Sequence, residues 1–136
     1  MKRFEEKVVI ITGGGAGLGQ FAALQIAAEG GKLVLVDLNT EGLEETKQMI
    51  LKDNPKAEVL TITANVANEA EVKNYVDKTV ETFGKIDGFF NNAGIEGKQN
   101  LTGDYGTEEF QRVIDINLNG VFYGMKYVLQ VMKKQG

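Results

Sequence analysis

The sequence predicts an α/β fold built on a doubly wound parallel sheet, and three observations support this prediction. Short apolar runs rich in β-branched residues alternate with longer segments that carry apolar residues at helical spacing. A glycine-rich turn follows the first apolar run directly. The length of 136 residues suits one domain, 1–136. Because parallel strands need a crossover connection and a helix supplies it, the alternation indicates βαβ units.

The first βαβ unit surrounds the glycine-rich turn. Buried strands are predicted over 7–12 and 33–37, because β-branched and leucine residues fill both runs. The helix between them is predicted over 17–29, and a pair of glycines ends it. Small residues on this helix allow a close approach to the sheet, and we expect Leu18, Phe21 and Ile26 to fill the remaining gaps.

The same alternation continues along the chain. The helices carry apolar residues at spacings of three and four, and an Asn-Pro pair ends the second helix. The remaining elements are predicted as helix 40–52, strand 58–63, helix 69–83, strand 86–90, loop 94–106 and helix 107–134. Since crossover connections are right-handed, we expect the strand order 3-2-1-4.

Composition excludes several functions. The net charge of −4 and the absence of a basic stripe argue against a nucleic-acid partner. Apolar runs are far shorter than the roughly 20 residues that span a membrane, and the first residues lack a secretory signal, so we expect a cytoplasmic protein with no membrane partner. The chain has no Cys, His or Ser, which removes the commonest metal ligands, general base and nucleophiles.

The turn after the first strand reads TGGGAGLG over residues 12–19. Glycines let backbone N–H groups approach a ligand, and the following helix directs unpaired N–H groups at the same place. Together these features predict an anion site, most simply for a pyrophosphate. Gln20 and Phe21 do not fit a P-loop, and Leu18 breaks the open G-x-G-x-x-G pattern, so the spacing is T-G-x-x-x-G-x-G. A glycine turn without a ligand is the alternative.

Asp37 ends the second predicted strand, 18 residues after Gly19. A carboxylate at this place can accept hydrogen bonds from an adenosine ribose. The alternative is an acidic residue that only ends the strand or caps the next helix. The following Leu38, Asn39 and Thr40 bring no positive charge to neutralise a 2′-phosphate. Asp37 therefore predicts NAD in preference to NADP.

Three motifs in this order resemble the short-chain dehydrogenase/reductase family over essentially the whole chain. They are T-G-x-x-x-G-x-G at 12–19, N-N-A-G at 91–94 and N-x-x-G at 117–120. The resemblance implies a Rossmann-like fold that binds a dinucleotide cofactor. The residues that it assigns to the cofactor are Gly13, Gly17, Leu18, Gly19, Asp37, Asn65, Val66, Asn91, Ala93 and Gly94. Asn65 departs from the family, which has Asp there, but its carboxamide oxygen can still accept from the adenine amino group.

The last helix contains the one residue that the resemblance assigns to catalysis. Asn117 lies between Val113 and Val121, each four residues away, so we expect it to face inward and to find hydrogen-bond partners. The resemblance implies that its backbone holds a water of a proton relay; a polar residue satisfied by nearby backbone is the alternative. We expect one side of this helix to carry its apolar residues, namely Phe110, Ile114, Leu118, Val121, Met125, Val128 and Met132.

The family's other catalytic residues are missing. Family members use a Ser and a Tyr-x-x-x-Lys pair, and no Tyr here has Lys four residues later, since the Tyr123–Lys126 spacing is short by one. The resemblance therefore implies the cofactor-binding part of an NAD-dependent oxidoreductase, truncated after the fourth strand and the long helix and inactive alone. The substrate of the complete enzyme would be a secondary alcohol or ketone.

Two further readings of the chain stay open, and both concern what it does without a catalytic half. It could be a non-catalytic NAD-binding module, or a self-assembling fragment whose nucleotide site is vestigial. An uncovered strand 86–90 and an uncovered last helix would each expose surface that favours association. We therefore expect a homo-oligomer.

Overall fold

The computed structural model describes all residues, 1–136, and contains a four-stranded parallel sheet. The strands are β1 (Val8–Thr12), β2 (Lys32–Asp37), β3 (Val59–Thr63) and β4 (Gly88–Phe90). Their order is β3-β2-β1-β4, which confirms the predicted order. The chain leaves β1 to one side for β2 and returns on the other side as β4. The carboxyl ends of β1 and β4 therefore meet at the switch point of the sheet.

Five α-helices accompany the sheet. They are α1 (Gly17–Ala28), α2 (Thr40–Asp53), α3 (Glu69–Phe83), α4 (Thr107–Ile114) and α5 (Gly120–Gln135). A π-helical segment, Asp115–Asn119, joins α4 to α5, and a 3-10 turn lies at Thr102–Asp104. The predicted positions of the helices are confirmed, except that the last one is divided by the π-helical segment. None of these helices is both long and apolar enough to cross a membrane.

The two faces of the sheet are covered by different helices. Side chains of β1 and β2 alternate between the faces, so both strands are buried on both sides. One face packs against α1 and α2, through Val9, Ile11, Leu33, Leu35, Ala23, Ala27, Leu43 and Ile50. The other packs against α3 and α5, through Val8, Ile10, Val34, Val36, Val72, Tyr75, Val76 and Val128. This arrangement is a doubly wound α/β fold.

The prediction that one side of the last helix carries its apolar residues is wrong in part. Phe110, Leu118 and Met125 are exposed, whereas Gly120, Gly124 and Val128 face the sheet. The glycines are on the buried face because a side chain there would meet neighbouring groups: a Cβ on Gly124 would lie 2.8 Å from the Phe89 ring. Val128 and Met132 of the predicted set do pack on the core. The helix is apolar on two faces, and periodicity alone did not separate the buried residues from the exposed ones.

Two smaller predictions also need correction. Leu18 and Phe21 are exposed on α1 and do not fill gaps against the sheet. β4 begins at Gly88 and not at residue 86. The backbone N–H and C=O of Ile86 are both bonded to the side-chain amide of Gln135, at 2.8 Å each. The carboxamide thus attaches the end of α5 to the segment that leads into β4.

One buried group in this core lacks a partner. The Tyr75 side chain is fully buried beside Phe89, and its hydroxyl makes no hydrogen bond. Burial raises the pKa of Tyr75 well above its ordinary value, because the phenolate would be desolvated. By contrast, the Tyr127 hydroxyl donates to the Glu69 carboxylate at 2.6 Å.

We predict that Tyr75→Phe increases the free energy of unfolding by about 1 kcal/mol, because it removes a buried hydroxyl without a partner. Urea denaturation followed by circular dichroism measures the change. The matched control is Tyr127→Phe, which removes the hydrogen bond to Glu69 and should lower the urea midpoint. A lower midpoint for Tyr75→Phe would contradict the prediction.

Candidate functional site

A cleft of about 410 Å³ lies at the carboxyl ends of the strands, on the switch point. This volume is in the range of small-molecule sites. Turns that follow β1, β2, β3 and β4 all contribute to it. The lining residues are Gly13, Ala16, Gly17, Leu18, Asp37, Leu38, Ala64, Asn65, Val66, Asn92, Ala93, Gly94, Ile95 and Ile116. Eight of the ten residues predicted to contact a cofactor are among them; Gly19 and Asn91 are not.

The glycine turn is anchored on its inner side by backbone groups. The N–H groups of Gly13 and Gly14 donate to the Val36 carbonyl oxygen at 2.7 and 3.2 Å. On the outer side, α1 begins at Gly17, where φ is +55°, and no side chain caps the helix. Its first turn contains no acidic residue. The positive end of the α1 dipole therefore faces the cleft, and no anionic side chain of its own first turn neutralises it.

Gly19 lies behind the turn and shapes it from within. It is buried, and a Cβ at this position would collide with the Gly13 carbonyl oxygen. Only a residue without a side chain lets α1 begin so close to the end of β1. The structure therefore gives Gly19 a packing role and leaves the cleft itself to Gly17 and Leu18.

Asp37 is held by two backbone N–H groups at the edge of the cleft. Its Oδ2 accepts from Gly15 at 3.0 Å, and its Oδ1 accepts from Asn39 at 3.1 Å. These bonds fix the carboxylate plane while the group remains half-buried and in contact with the cleft. Leu38 beside it is exposed and uncharged. The carboxylate retains acceptor capacity for a hydroxyl donor in the cleft.

Thr12 ties the glycine turn to the turn after β4. Its Oγ1 accepts from the N–H groups of Asn92 and Ala93, at 2.9 and 3.0 Å, and its carbonyl oxygen accepts from Asn92 Nδ2 at 3.2 Å. Asn91 points away from the cleft, and its Nδ2 donates to the Val121 carbonyl oxygen at 2.8 Å. Each Asn side chain thus pins neighbouring backbone, and only Asn92 lines the cleft.

Asn117 does not face inward as predicted. It is exposed in the π-helical segment, and its side chain is bonded to the backbone of Ile95. Ile95 N donates to Asn117 Oδ1 at 2.9 Å, and Asn117 Nδ2 donates to Ile95 O at 2.7 Å. The expectation of an inward residue failed because a wider π turn rotates the side chain away from the regular α-helical face. The pair holds the loop after β4 against the helix.

Asn65 and Val66 lie where the resemblance places the adenine contact. Both line the cleft after β3. Asn65 Oδ1 accepts from Ala67 N at 2.9 Å, and Asn65 N donates to Glu71 Oε1 at 3.0 Å. The carboxamide oxygen predicted to accept from adenine thus already holds a local turn and has one acceptor position left.

Known proteins share this arrangement. The sequence profile of short chain dehydrogenases matches residues 7–136. The chain belongs to this family. A levodione reductase of Leifsonia aquatica is 57% identical, over 98% of this chain and 50% of that protein. A cyclohexanol dehydrogenase of an Acinetobacter species is 40% identical, over 98% of this chain and 53% of that protein.

Solved structures agree with the sequence comparison. A levodione reductase crystal structure superposes with a TM-score of 0.96 at 56% identity, over 98% of this chain and 52% of that one. An NAD+-bound xylitol dehydrogenase superposes with a TM-score of 0.94 at 37% identity, over 98% of this chain and 51% of that one. The chain spans about half the length of the relatives that it matches.

Several cleft residues of this family member were not singled out from its sequence. Ala16, Leu38, Ala64 and Ile116 all line the cleft. Leu38 directly follows Asp37, so its position next to a predicted cofactor residue could have indicated it. Ile116 reaches the cleft from the π-helical segment, which no sequence pattern indicated.

We predict that Gly19→Ala lowers the free energy of unfolding by about 3 kcal/mol, because the new Cβ would collide with the Gly13 carbonyl oxygen. The matched variant is Gly17→Ala, where a Cβ meets nothing within 4 Å and only the positive φ is unfavourable. Its expected loss is about 1 kcal/mol. Urea denaturation compares the two variants, and equal losses would contradict the packing role of Gly19.

Proposed function

We propose that this chain is the NAD-binding part of an oxidoreductase that transfers a hydride between nicotinamide and a secondary alcohol or ketone. The observation that carries the proposal is the uncapped N-terminus of α1 beneath a turn of glycines, with the Asp37 carboxylate beside it. Backbone N–H groups and a helix dipole favour a pyrophosphate, and a carboxylate favours ribose hydroxyl groups. The NAD+-bound xylitol dehydrogenase that superposes on this chain supports the choice of cofactor.

Different parts of the cleft would hold different parts of the cofactor. We assign the pyrophosphate to Gly13, Gly17 and Leu18, with Gly19 shaping the turn from behind. The adenosine part would lie against Asp37, Asn65 and Val66, and the nicotinamide ribose would lie against Ala93 and Gly94, with Asn91 anchoring that turn. Small residues after β4 leave room for a sugar and a ring.

Asp37 favours NAD over NADP. Its two oxygens already accept from Gly15 and Asn39, so the carboxylate cannot turn away from a 2′-substituent without losing those bonds. A 2′-phosphate would meet a fixed negative charge, and no cationic side chain is among the residues that line the cleft.

Bound nicotinamide would supply or accept the hydride. The residues of this chain would position the cofactor and hold a water that relays a proton. The Asn117 side chain is occupied by Ile95. We therefore assign its role to its backbone, which the family resemblance implies would hold a water of the proton relay. The family's Ser and Tyr-x-x-x-Lys pair are absent from these residues. We propose that the chain by itself binds the cofactor without turnover.

We predict that NAD binds with saturable heat in a calorimetric titration and that NADP binds at least tenfold more weakly. Asp37→Asn should weaken NAD binding about tenfold and reduce the preference over NADP, because a charged acceptor is lost. The matched control is Asp53→Asn at the end of α2, remote from the cleft, which should leave both affinities unchanged. A wild-type chain without saturable heat would refute the proposed function and favour a vestigial site.

We also propose that the chain associates with a second copy through α5. Exposed apolar residues of α5 and of the end of the π-helical segment follow spacings of four, three and four, and they are Leu118, Phe122, Met125 and Leu129. A stripe with this repeat suits packing against an identical helix. Large apolar side chains gathered on one helix face are unusual on a surface that has no partner.

We predict a dimer or larger assembly in sedimentation velocity and a shift towards monomer for Phe122→Glu, which places a charge in the stripe. The matched control is Phe21→Glu on α1, which is 63% exposed against 55% for Phe122 and lies outside the stripe. A monomeric wild-type chain, or equal effects of both substitutions, would contradict this interface.

A further inference from the structure

The first turn of α2 touches the glycine turn without intervening side chains. A Cβ on Gly42 would lie 2.6 Å from the Gly15 carbonyl oxygen, and a Cβ on Gly15 would lie 3.2 Å from the Gly42 carbonyl carbon. Asn39 caps α2 at this point by accepting from Gly42 N at 3.1 Å. The beginning of α2 therefore serves as a backbone wall behind the turn.

A buried hydroxyl on α2 also forms a hydrogen bond with the backbone of the glycine turn. Thr46 is fully buried, and its Oγ1 donates to the carbonyl oxygens of Gly14 and Gly42, at 2.9 and 3.0 Å. Gln20 Nε2 on α1 donates to the same Oγ1 at 2.9 Å. Because carbonyl oxygens only accept and the Gln20 amide donates, the hydroxyl proton is directed at the two carbonyl groups.

The Gly14–Gly15 peptide group is thereby held at both ends. Its carbonyl oxygen, on Gly14, accepts from Thr46, and its N–H, on Gly15, donates to Asp37 Oδ2 at 3.0 Å. These atoms belong to one planar unit and turn together. Both flanking residues are glycine, so the backbone itself does little to prevent the unit from rotating.

We infer that Thr46 is a positioning residue for the Asp37 carboxylate and acts through the Gly14–Gly15 peptide group. Loss of the Thr46 hydroxyl frees the Gly14 carbonyl to rotate, and rotation takes the Gly15 N–H away from Asp37. The carboxylate then loses one of its two backbone donors and its fixed orientation. Thr46 touches no lining group of the cleft directly, yet it sets the geometry that selects NAD. The inference rests on the proposed function for its effect on the cofactor.

The test compares Thr46→Val, which keeps the shape and removes the hydroxyl, with Thr46→Ser, which restores it. We expect Thr46→Val to weaken NAD binding about threefold to tenfold and to lower the NAD-to-NADP affinity ratio, with recovery to within about twofold in Thr46→Ser. In an Asp37→Asn background, Thr46→Val should produce no further loss, because both changes act on one carboxylate.

Thr79→Val is the matched control. Thr79 is also fully buried in a helix, and its hydroxyl donates to the Tyr75 carbonyl oxygen at 2.8 Å, far from the cleft. It should reduce stability without changing the affinity ratio. A Thr46→Val chain with the wild-type ratio, or a Thr79→Val chain with the same loss, would overturn the inference.

A measurement without cofactor separates this inference from the proposed function. Amide hydrogen exchange at Gly15 should accelerate about tenfold in Thr46→Val and stay unchanged in Thr79→Val. Unchanged exchange at Gly15 overturns the inference whether or not NAD binds, whereas a wild-type chain that binds neither dinucleotide refutes only the proposed function. If Thr46→Val fails to fold, Thr46→Ala replaces it, because it removes the hydroxyl without placing a methyl group where the hydroxyl was, and unchanged Gly15 exchange in that variant overturns the inference.

Discussion

The pairing of β1 with β2 on one side and β4 on the other is the constraint on which the rest of the structure depends. It buries β1 on both faces and pairs both of its edges. The turn at the carboxyl end of β1 therefore lies between the turns that follow its two neighbours. Glycine residues fit there because side chains at these positions would meet the neighbouring turns. The cleft forms because the chain crosses to opposite sides of β1 at this place.

A turn built of glycine has no side chains with which to hold its own shape, and its surroundings supply the restraint. Thr12 fastens it to the turn after β4, Asp37 accepts from Gly15 N, and the Val36 carbonyl accepts from two of its N–H groups. Thr46 completes the set from α2. Apart from Asp37, which lines the cleft, these restraining groups lie behind the turn, and the helix end is left facing the cleft. The proposed anion site therefore depends on residues of several neighbouring elements, and the glycine motif is one part of it.

The chain from α4 to α5 shows how one helical stretch can serve two surfaces. Its glycine face packs on β4, and carboxamide groups attach it at three points: Asn117 to Ile95, Asn91 to Val121 and Gln135 to Ile86. The opposite face presents the apolar stripe. The π-helical segment lies where the first of these attachments is made, so the change in helical period and the loop after β4 are coupled through Asn117.

The sequence was sufficient to predict the element order and the strand order, because these depend on the alternation of strands and helices and on the handedness of crossovers. The glycine spacing and the position of Asp37 predicted most of the cleft. The buried face of α5 was decided instead by contacts such as that between Gly124 and Phe89. The sequence of a helix that is apolar on two sides does not indicate which side is buried. The same holds for Asn117, whose direction follows from a π turn, and for Thr46, whose partner Gly14 lies 32 residues earlier in the chain. Sequence periodicity indicates which secondary structure a residue favours and whether it tends to be buried. Only the packed structure decides which backbone group, distant in sequence, its side chain contacts.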